Sequence, residues 1–122
     1  MFDKREAIQS EAFTTLARLT PAGCFAPLIA AYEGSSTKMQ AEILNVAREA
    51  VVESERRAPD KIVELAEKCL ASKDPLIREN GANLLRDSGA KKVVPKLKKA
   101  LLSEKNREVR ESLRYAIEEL SE

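Results

Sequence analysis

The sequence predicts an all-α fold of about seven helices, stacked as a right-handed α-solenoid in a single domain over residues 1–122. Apolar residues recur every three or four positions, which is the period of an amphipathic helix. Gly, Pro and capping residues interrupt these apolar stripes at short intervals, and no segment alternates polar and apolar residues as a strand does. Because helices joined by a few residues lie antiparallel, we expect stacked helical hairpins.

The first three predicted helices end at Gly or Pro. Helix 1 covers 3–19, helix 2 about 24–33 and helix 3 about 37–57, which stops before Pro59 because the residue preceding a proline resists the helical conformation. Their predicted buried stripes are Ile8, Ala12, Leu16 and Leu19 in helix 1, Phe25, Leu28, Ile29 and Tyr32 in helix 2, and Met39, Ile43, Ala47 and Ala50 in helix 3. Phe2 and Phe13 are expected to be exposed at this end of the array.

Three of the last four predicted helices begin at capping residues. Asp60 precedes helix 4 (about 61–72), Asp74-Pro75 starts helix 5, which Gly89 ends, helix 6 covers about 90–103, and Asn106 caps helix 7. Their stripes include Ile62, Leu65, Ala66, Cys69 and Leu70 in helix 4, Val93, Val94, Leu97, Ala100 and Leu101 in helix 6, and Val109, Leu113, Ala116, Ile117 and Leu120 in helix 7.

Composition excludes several function classes. The chain has 21 basic and 20 acidic residues, and no His, which excludes His-based catalysis and metal sites that need imidazole. We expect no catalytic residues, no cofactor and no metal site. The longest apolar stretch has nine residues and no signal peptide is visible, so we expect a cytoplasmic protein without a membrane segment. Cys24 and Cys69 are interpreted as buried apolar residues, too far apart for a disulfide.

The later half of the chain contains an internal repeat. Pro75–Leu85 aligns with Arg107–Ile117 at an offset of 32 residues, and Asp74 and Asn106 precede the two segments at equivalent places. The chain therefore divides into approximate hairpins at 3–33, 37–72 and 74–103, followed by a capping helix at 106–121. Stacking is needed because one hairpin of two amphipathic helices cannot cover its own apolar face.

At these residues the sequence resembles the HEAT-like repeat family, in its short bacterial and archaeal form with phycobilin-lyase-like repeats. The resemblance is clearest over 74–120 and rests on Asp74, Ile77, Arg78, Leu85, Gly89, Val94, Pro95, Leu97 and Leu101; Gly81 stands where the family has Ala. The resemblance implies a scaffold or binding surface. An enzyme accessory or lyase-like subunit is an alternative by family analogy alone.

The sequence leaves two binding functions open. The first is a non-catalytic protein–protein interaction or scaffold module, whose partner contacts the layer of second helices. The candidate residues for that contact are Tyr32, Lys61, Glu64, Lys68, Lys92, Lys96 and Lys99. The alternative is nucleic-acid or polyanion binding by the basic C-terminal repeat, at Lys91, Lys92, Lys96, Lys98, Lys99, Arg107, Arg110 and Arg114. No aromatic residue interleaves with these lysines, so base stacking is not supported.

The same charged residues can also be interpreted as structural rather than functional. The lysines of helix 6 also fit a solvated face partly paired with Glu64 and Glu67 of helix 4. Arg78 and Arg110 each follow a capping residue by four positions, which favours a ladder of contacts between repeats over anion binding. The charges at both ends of the array favour a monomer, the alternative being a dimer that meets at Tyr115.

Overall fold

The computed structural model describes residues 2–55 and 58–122. Within them the chain forms seven α-helices, two short 3-10 helices and no strand. The α-helices are α1 (Lys4–Leu19), α2 (Phe25–Tyr32), α3 (Thr37–Glu53), α4 (Asp60–Cys69), α5 (Pro75–Ser88), α6 (Val94–Ser103) and α7 (Arg107–Ser121), and the 3-10 helices are Pro21–Gly23 and Lys91–Val93. The all-α prediction is confirmed. None of these described helices is long and apolar enough to cross a bilayer.

Side-chain caps start four of the helices. Asp3, Ser36, Asp74 and Asn106 each accept a hydrogen bond of 2.8–3.2 Å from a backbone N–H two or three residues later. These bonds satisfy amides that have no partner inside the helix. At the other end of α5, Gly89 has φ 66°, a left-handed conformation that glycine adopts without steric cost.

Two helices end earlier than the sequence predicts. α3 stops at Glu53, and its carbonyls are taken up by Ser54, whose hydroxyl donates to the Ala50 oxygen at 2.7 Å. The predicted end of this helix, at 57, lies outside the described residues. α4 stops at Cys69 rather than 72, because the next three amides bond to carbonyls three residues back and tighten the chain into turns.

The helices form two layers. α1, α3, α5 and α7 pack side by side in this order, in what we call the first-helix layer. α2, α4 and α6 form the second-helix layer, in which α2 packs on α4, and an ion pair between Glu67 and Lys96 joins α4 to α6. Between the layers, α2 packs on α3, α4 on α5, and α6 on α7. This is the stacked arrangement of an α-solenoid.

The most extensive contacts between layers join each second-layer helix to the first-layer helix that follows it. The hairpins predicted from the sequence instead pair each second-layer helix with the first-layer helix that precedes it. Each helix of a solenoid contacts neighbours on both sides, so the repeats can be counted from either helix of a pair. The division at 3–33, 37–72, 74–103 and 106–121 therefore stays a prediction. Helix α7 packs on α5 and α6 as its single apolar face predicts.

The core lies between the two layers and confirms most of the predicted stripes. Ile43, Leu44, Leu84, Leu85 and Leu97 are among its fully buried side chains. The stripe predicted for α1 is confirmed at Leu16, which packs on the core, and is wrong at its other three positions. Ile8 is 70% exposed, Leu19 is 74% exposed and Ala12 is exposed as well, whereas Phe13, which was expected to be exposed, is buried together with Ala17. The reason is that α1 is the end helix of its layer and has α3 as its main neighbour there, so one of its two apolar faces is left uncovered.

Gly81 allows α5 to approach α4 closely. A Cβ atom added at this position would lie 2.7 Å from the Cβ of Cys69 and 3.0 Å from the backbone oxygen of Ala66. Both distances are shorter than van der Waals contact. The departure from alanine in the family pattern therefore matches a tight helix crossing.

Candidate interaction surfaces

Five of the six charged residues predicted to bind a partner lie on two neighbouring helices of the second-helix layer. Lys61, Glu64 and Lys68 are exposed on α4, and Lys96 and Lys99 are exposed on α6. The sixth, Lys92, is exposed on the 3-10 helix that precedes α6. We call these six residues the second-layer surface. It contains five lysines and one glutamate, so its formal charge is +4.

Tyr32 does not belong to this surface, and the prediction that it does is wrong. Its side chain is 8% exposed, and its hydroxyl lies 3.3 Å from the Sγ of Cys69. Burial raises the pKa of the Tyr32 hydroxyl and that of the Cys69 thiol. Tyrosine can serve in a core or at a surface, since its ring is apolar and its hydroxyl polar; here the thiol accommodates the hydroxyl inside the core.

One ion pair crosses the second-layer surface. Lys96 Nζ on α6 contacts Glu67 Oε2 on α4, while Lys96 remains largely exposed. The predicted pairing of this lysine face with α4 is therefore correct for Glu67. An exposed pair of this kind contributes about 0–1 kcal/mol, so it leaves the lysine open to exchange for another anionic partner.

The basic residues proposed for polyanion binding are divided between the layers. Lys91, Lys92, Lys96, Lys98 and Lys99 lie in the second-helix layer or the 3-10 turn before α6, and Lys91 donates to the Glu122 carbonyl oxygen at 2.9 Å. Arg107, Arg110 and Arg114 lie on α7 of the first-helix layer, where Arg107 pairs with Glu111 at 3.5 Å. The eight residues therefore do not form one continuous row along a single helix.

Arg110 has a structural role, and its part in polyanion binding stays a prediction. Its Nη1 donates to the carbonyl oxygens of Leu101 at 3.1 Å and Glu104 at 2.8 Å, at the end of α6. Arg78 acts similarly on the carbonyls of Ser72 and Lys73, at 2.9 and 3.1 Å. Both guanidinium groups thus close the turn that precedes their own helix, a contact that was not predicted from the sequence.

Arg78 also links two successive turns of the array. Its Nε and Nη2 donate to the two carboxylate oxygens of Glu104, at 2.8 and 3.0 Å, and Glu104 accepts a further bond from the Asn106 amide. The hydrogen bonds from Arg78 lower the pKa of the Glu104 carboxyl below its ordinary value. This bidentate pair is the ladder contact expected between repeats.

A groove on the first-helix layer was not predicted from the sequence. It has a volume of about 650 Å³ and lies across α1, α3 and the end of α5. Its charged lining residues are Arg18, Glu42, Arg48, Glu49, Glu53 and Asp87. Arg48 Nε donates to Asp87 Oδ2 at 2.8 Å, which ties α3 to α5 beside the groove.

The contact between Arg48 and Asp87 continues toward α7 through an arginine and an exposed tyrosine, and we call these four residues the polar row. Arg86 contacts Asp87 at 3.3 Å, and its guanidinium lies 4.7 Å from the centre of the Tyr115 ring, a cation–π distance. The sequence contains a pattern that could have indicated the polar row. Arg48 stands twelve residues after the cap Ser36, and Arg86 stands twelve residues after the cap Asp74. That register places both side chains at equivalent positions of neighbouring helices.

The two cysteines lie in the core. Cys24 and Cys69 are buried and unpaired thiols, as predicted. Among the described residues no group of three or more acidic, cysteine or histidine side chains is arranged to hold a metal ion.

A sequence model of HEAT repeats matches residues 25–118. The chain belongs to the HEAT repeat family. The match begins at the first residue of α2 and ends within α7, so it covers both layers of the array. HEAT repeats commonly mediate protein–protein interaction, in agreement with the protein-binding role predicted from the sequence. Neither the curated proteins nor the solved structures contain a match to the chain.

Proposed function

We propose that this HEAT repeat chain is a non-catalytic protein-binding module whose partner contacts the second-layer surface. The observation that carries the proposal is that exposed lysines stand on two helices of the second-helix layer, Lys61 and Lys68 on α4 and Lys96 and Lys99 on α6. The ion pair between Glu67 and Lys96 joins these two helices. Family membership supports protein binding, and the formal charge of +4 favours an acidic partner, because complementary charge steers association.

The groove on the first-helix layer is a second contact region for the same function. Charges of both signs line it, and Tyr115 and Arg86 lie along the same row, two residue types that are enriched in binding hot spots. A partner that reaches both layers would bury more area than either surface offers alone. The second-layer surface remains the primary proposal because its charge specifies the partner's chemistry.

Polyanion binding is the second candidate function, and the lysines of the second-helix layer favour it too. The exposed basic residues outside the second-layer surface include Lys98, Arg107 and Arg114. A nucleic acid bound by these groups would lose affinity steeply with salt, since each neutralised phosphate releases condensed counterions.

One pair of charge-reversal variants separates the two functions. The first variant changes Lys92, Lys96 and Lys99 to Glu on the second-layer surface. The matched control changes Lys105, Arg107 and Arg114 to Glu, which alters the net charge equally on the turn before α7 and on α7 itself. All six residues are exposed, so both variants are expected to fold.

The assay is capture from lysate with and without nuclease, followed by titration of the purified partner at several salt concentrations. If an acidic protein binds the second-layer surface, the first variant loses binding, the control keeps it, and nuclease has no effect. If a polyanion is the ligand, nuclease removes it and both variants weaken binding. A partner retained equally by all three proteins would refute the proposed surface.

A further inference from the structure

The N-terminal end of the first-helix layer carries an uncovered apolar face. Ile8 and Leu19 are 70% and 74% exposed, and Ala12 and Thr15 between them are exposed as well. These four residues, with Leu16 and Glu11, line a shallow depression of about 460 Å³ on the outer side of α1. The other side of the same helix packs on α3 through Phe13 and Ala17.

The opposite end of the layer differs in chemistry. Helix α7 exposes mainly charged side chains, among them Arg107, Glu111, Arg114 and Glu118. A polar outer face is what keeps the last unit of a repeat array soluble. The array therefore has a charged C-terminal end and an apolar N-terminal end.

The exposed residues of α1 follow the spacing of a coiled-coil seam. Ile8, Ala12, Thr15 and Leu19 are separated by four, three and four residues, which alternates the two core positions of a heptad. The small side chains of Ala12 and Thr15 stand at the centre of the seam, with the larger Ile8 and Leu19 outside them. Two such helices can approach closely at the centre and bury the larger residues on either side.

An antiparallel pairing of two copies of α1 satisfies this pattern. It sets Ile8 of one copy against Leu19 of the second copy, and Ala12 against Thr15, so that the seam is its own complement about a two-fold axis. In this register Glu11 lies within about 3 Å, along the helix axis, of Arg18 of the second copy, at a rise of about 1.5 Å per residue. Glu11 and Arg18 both directly precede a seam residue and flank the same side of it. The pairing thus brings together two opposite-charge pairs.

We propose that the uncovered face of α1 is a docking surface for a second copy of this chain, which binds antiparallel through α1 to form a two-fold dimer. The self-complementary seam and the paired Glu11 and Arg18 identify the second copy as the occupant. The interface consists of one 16-residue helix from each copy, so it is small. Interfaces of that size form weak, reversible complexes.

Sedimentation equilibrium of the full chain tests the proposal over roughly 10–1,000 µM, the range that brackets a weak complex. The mass is expected to rise from the 13.5 kDa of one chain toward twice that value. Ile8→Glu places a charge in the seam and is expected to keep the mass at 13.5 kDa. Leu102→Glu is the matched control, since Leu102 is 88% exposed on α6 and its change should leave dimerisation intact.

A charge exchange tests the register. Glu11→Arg alone or Arg18→Glu alone brings like charges together twice, and each is expected to weaken the dimer by about tenfold. The double variant Glu11→Arg/Arg18→Glu restores opposite charges across the two-fold axis and is expected to recover the wild-type affinity. Both residues are exposed and seven positions apart, so they form no pair within the helix. Far-UV circular dichroism confirms the fold of each variant.

Two results would overturn the proposal. One is a wild-type mass that stays at 13.5 kDa at the highest concentration. The other is a dimer that Tyr115→Glu dissociates and Ile8→Glu does not, which would place the contact on α7. A dimer contact away from α1 would not restore the wild-type affinity in the double charge variant. Recovery in that variant would therefore support a contact through α1 even if Ile8→Glu proved poorly soluble.

Discussion

Replacing Gly81 with alanine is expected to destabilise the fold, although alanine is the residue of the family pattern and a better helix former. The added Cβ would lie 2.7 Å from Cys69 Cβ, whereas carbon atoms prefer a separation of about 3.5–4.0 Å. The second contact, 3.0 Å to the Ala66 oxygen, is with backbone of α4 and cannot be relieved by turning a side chain. The two helices must therefore move apart by several tenths of an ångström.

The size of the loss follows from two opposing effects. Overpacking a tight site costs about 1–3 kcal/mol, and the upper half of that range applies here because both contacted atoms are fixed. The higher helix propensity of alanine returns about 1 kcal/mol. We expect a net loss of about 1–2 kcal/mol in the free energy of unfolding.

Urea unfolding measures this change, with Gly34→Ala as the matched control. A Cβ at Gly34 meets nothing within 4 Å, so that variant should stay within about 0.5 kcal/mol of the wild type. A double-mutant cycle with Cys69→Gly, which removes the contacted Cβ, should show a favourable coupling between the two positions. A Gly81→Ala protein as stable as the wild type would refute the close approach of α4 and α5.

Three further predictions follow from burial and hydrogen bonding, and urea unfolding checks each. Leu97→Ala should cost about 2–5 kcal/mol, because Leu97 is fully buried, whereas Leu102→Ala should cost less than about 0.5 kcal/mol. Arg78→Ala should cost about 2–4 kcal/mol, since it leaves the Glu104 carboxylate, 7% exposed, without its bidentate partner. The pKa of the Glu104 carboxyl is lower in the folded protein than its ordinary value of 4.5. The ionised carboxylate therefore stabilises the folded protein above pH 4.5, and this contribution is lost as the pH falls through the pKa of the folded state. Glu104→Gln should therefore flatten the loss of stability in acid, and an unchanged pH profile would contradict this.

The sequence predicts the helices from α2 to α7 well because each has neighbours that define a single buried face. In α3, for example, Met39, Ile43, Ala47 and Ala50 are spaced by the helical period and all are fully buried. Local capping chemistry, at Asp74 and Asn106, fixes the helix starts. The ladder contact of Arg78 was also predictable, because Arg78 and Arg110 recur at the same distance from the caps of successive repeats.

The spacing of apolar residues does not predict which face of a helix is buried when the number of helices packed against it is unknown. Helix α1 has apolar residues on two sides, and the spacing of Ile8 and Leu19 is as helical as that of Phe13 and Ala17. Which side is buried depends on where α3 lies, and no local pattern in α1 contains that information. The groove on the first-helix layer escapes prediction for a related reason, because α1, α3 and α5 must be in place before it exists.

The two ends of the array also limit what assemblies the chain can form. The most extensive pairings between the layers join α2 to α3, α4 to α5 and α6 to α7. If the charged end formed by α7 is inert and only α1 is adhesive, two copies meet end to end and expose two charged ends, so growth stops at two. An apolar surface on both ends would instead give open filaments. We therefore expect no species larger than a dimer at any concentration that keeps the protein in solution. Larger oligomers in sedimentation velocity, persisting in the Ile8→Glu variant, would show that the α7 end also associates.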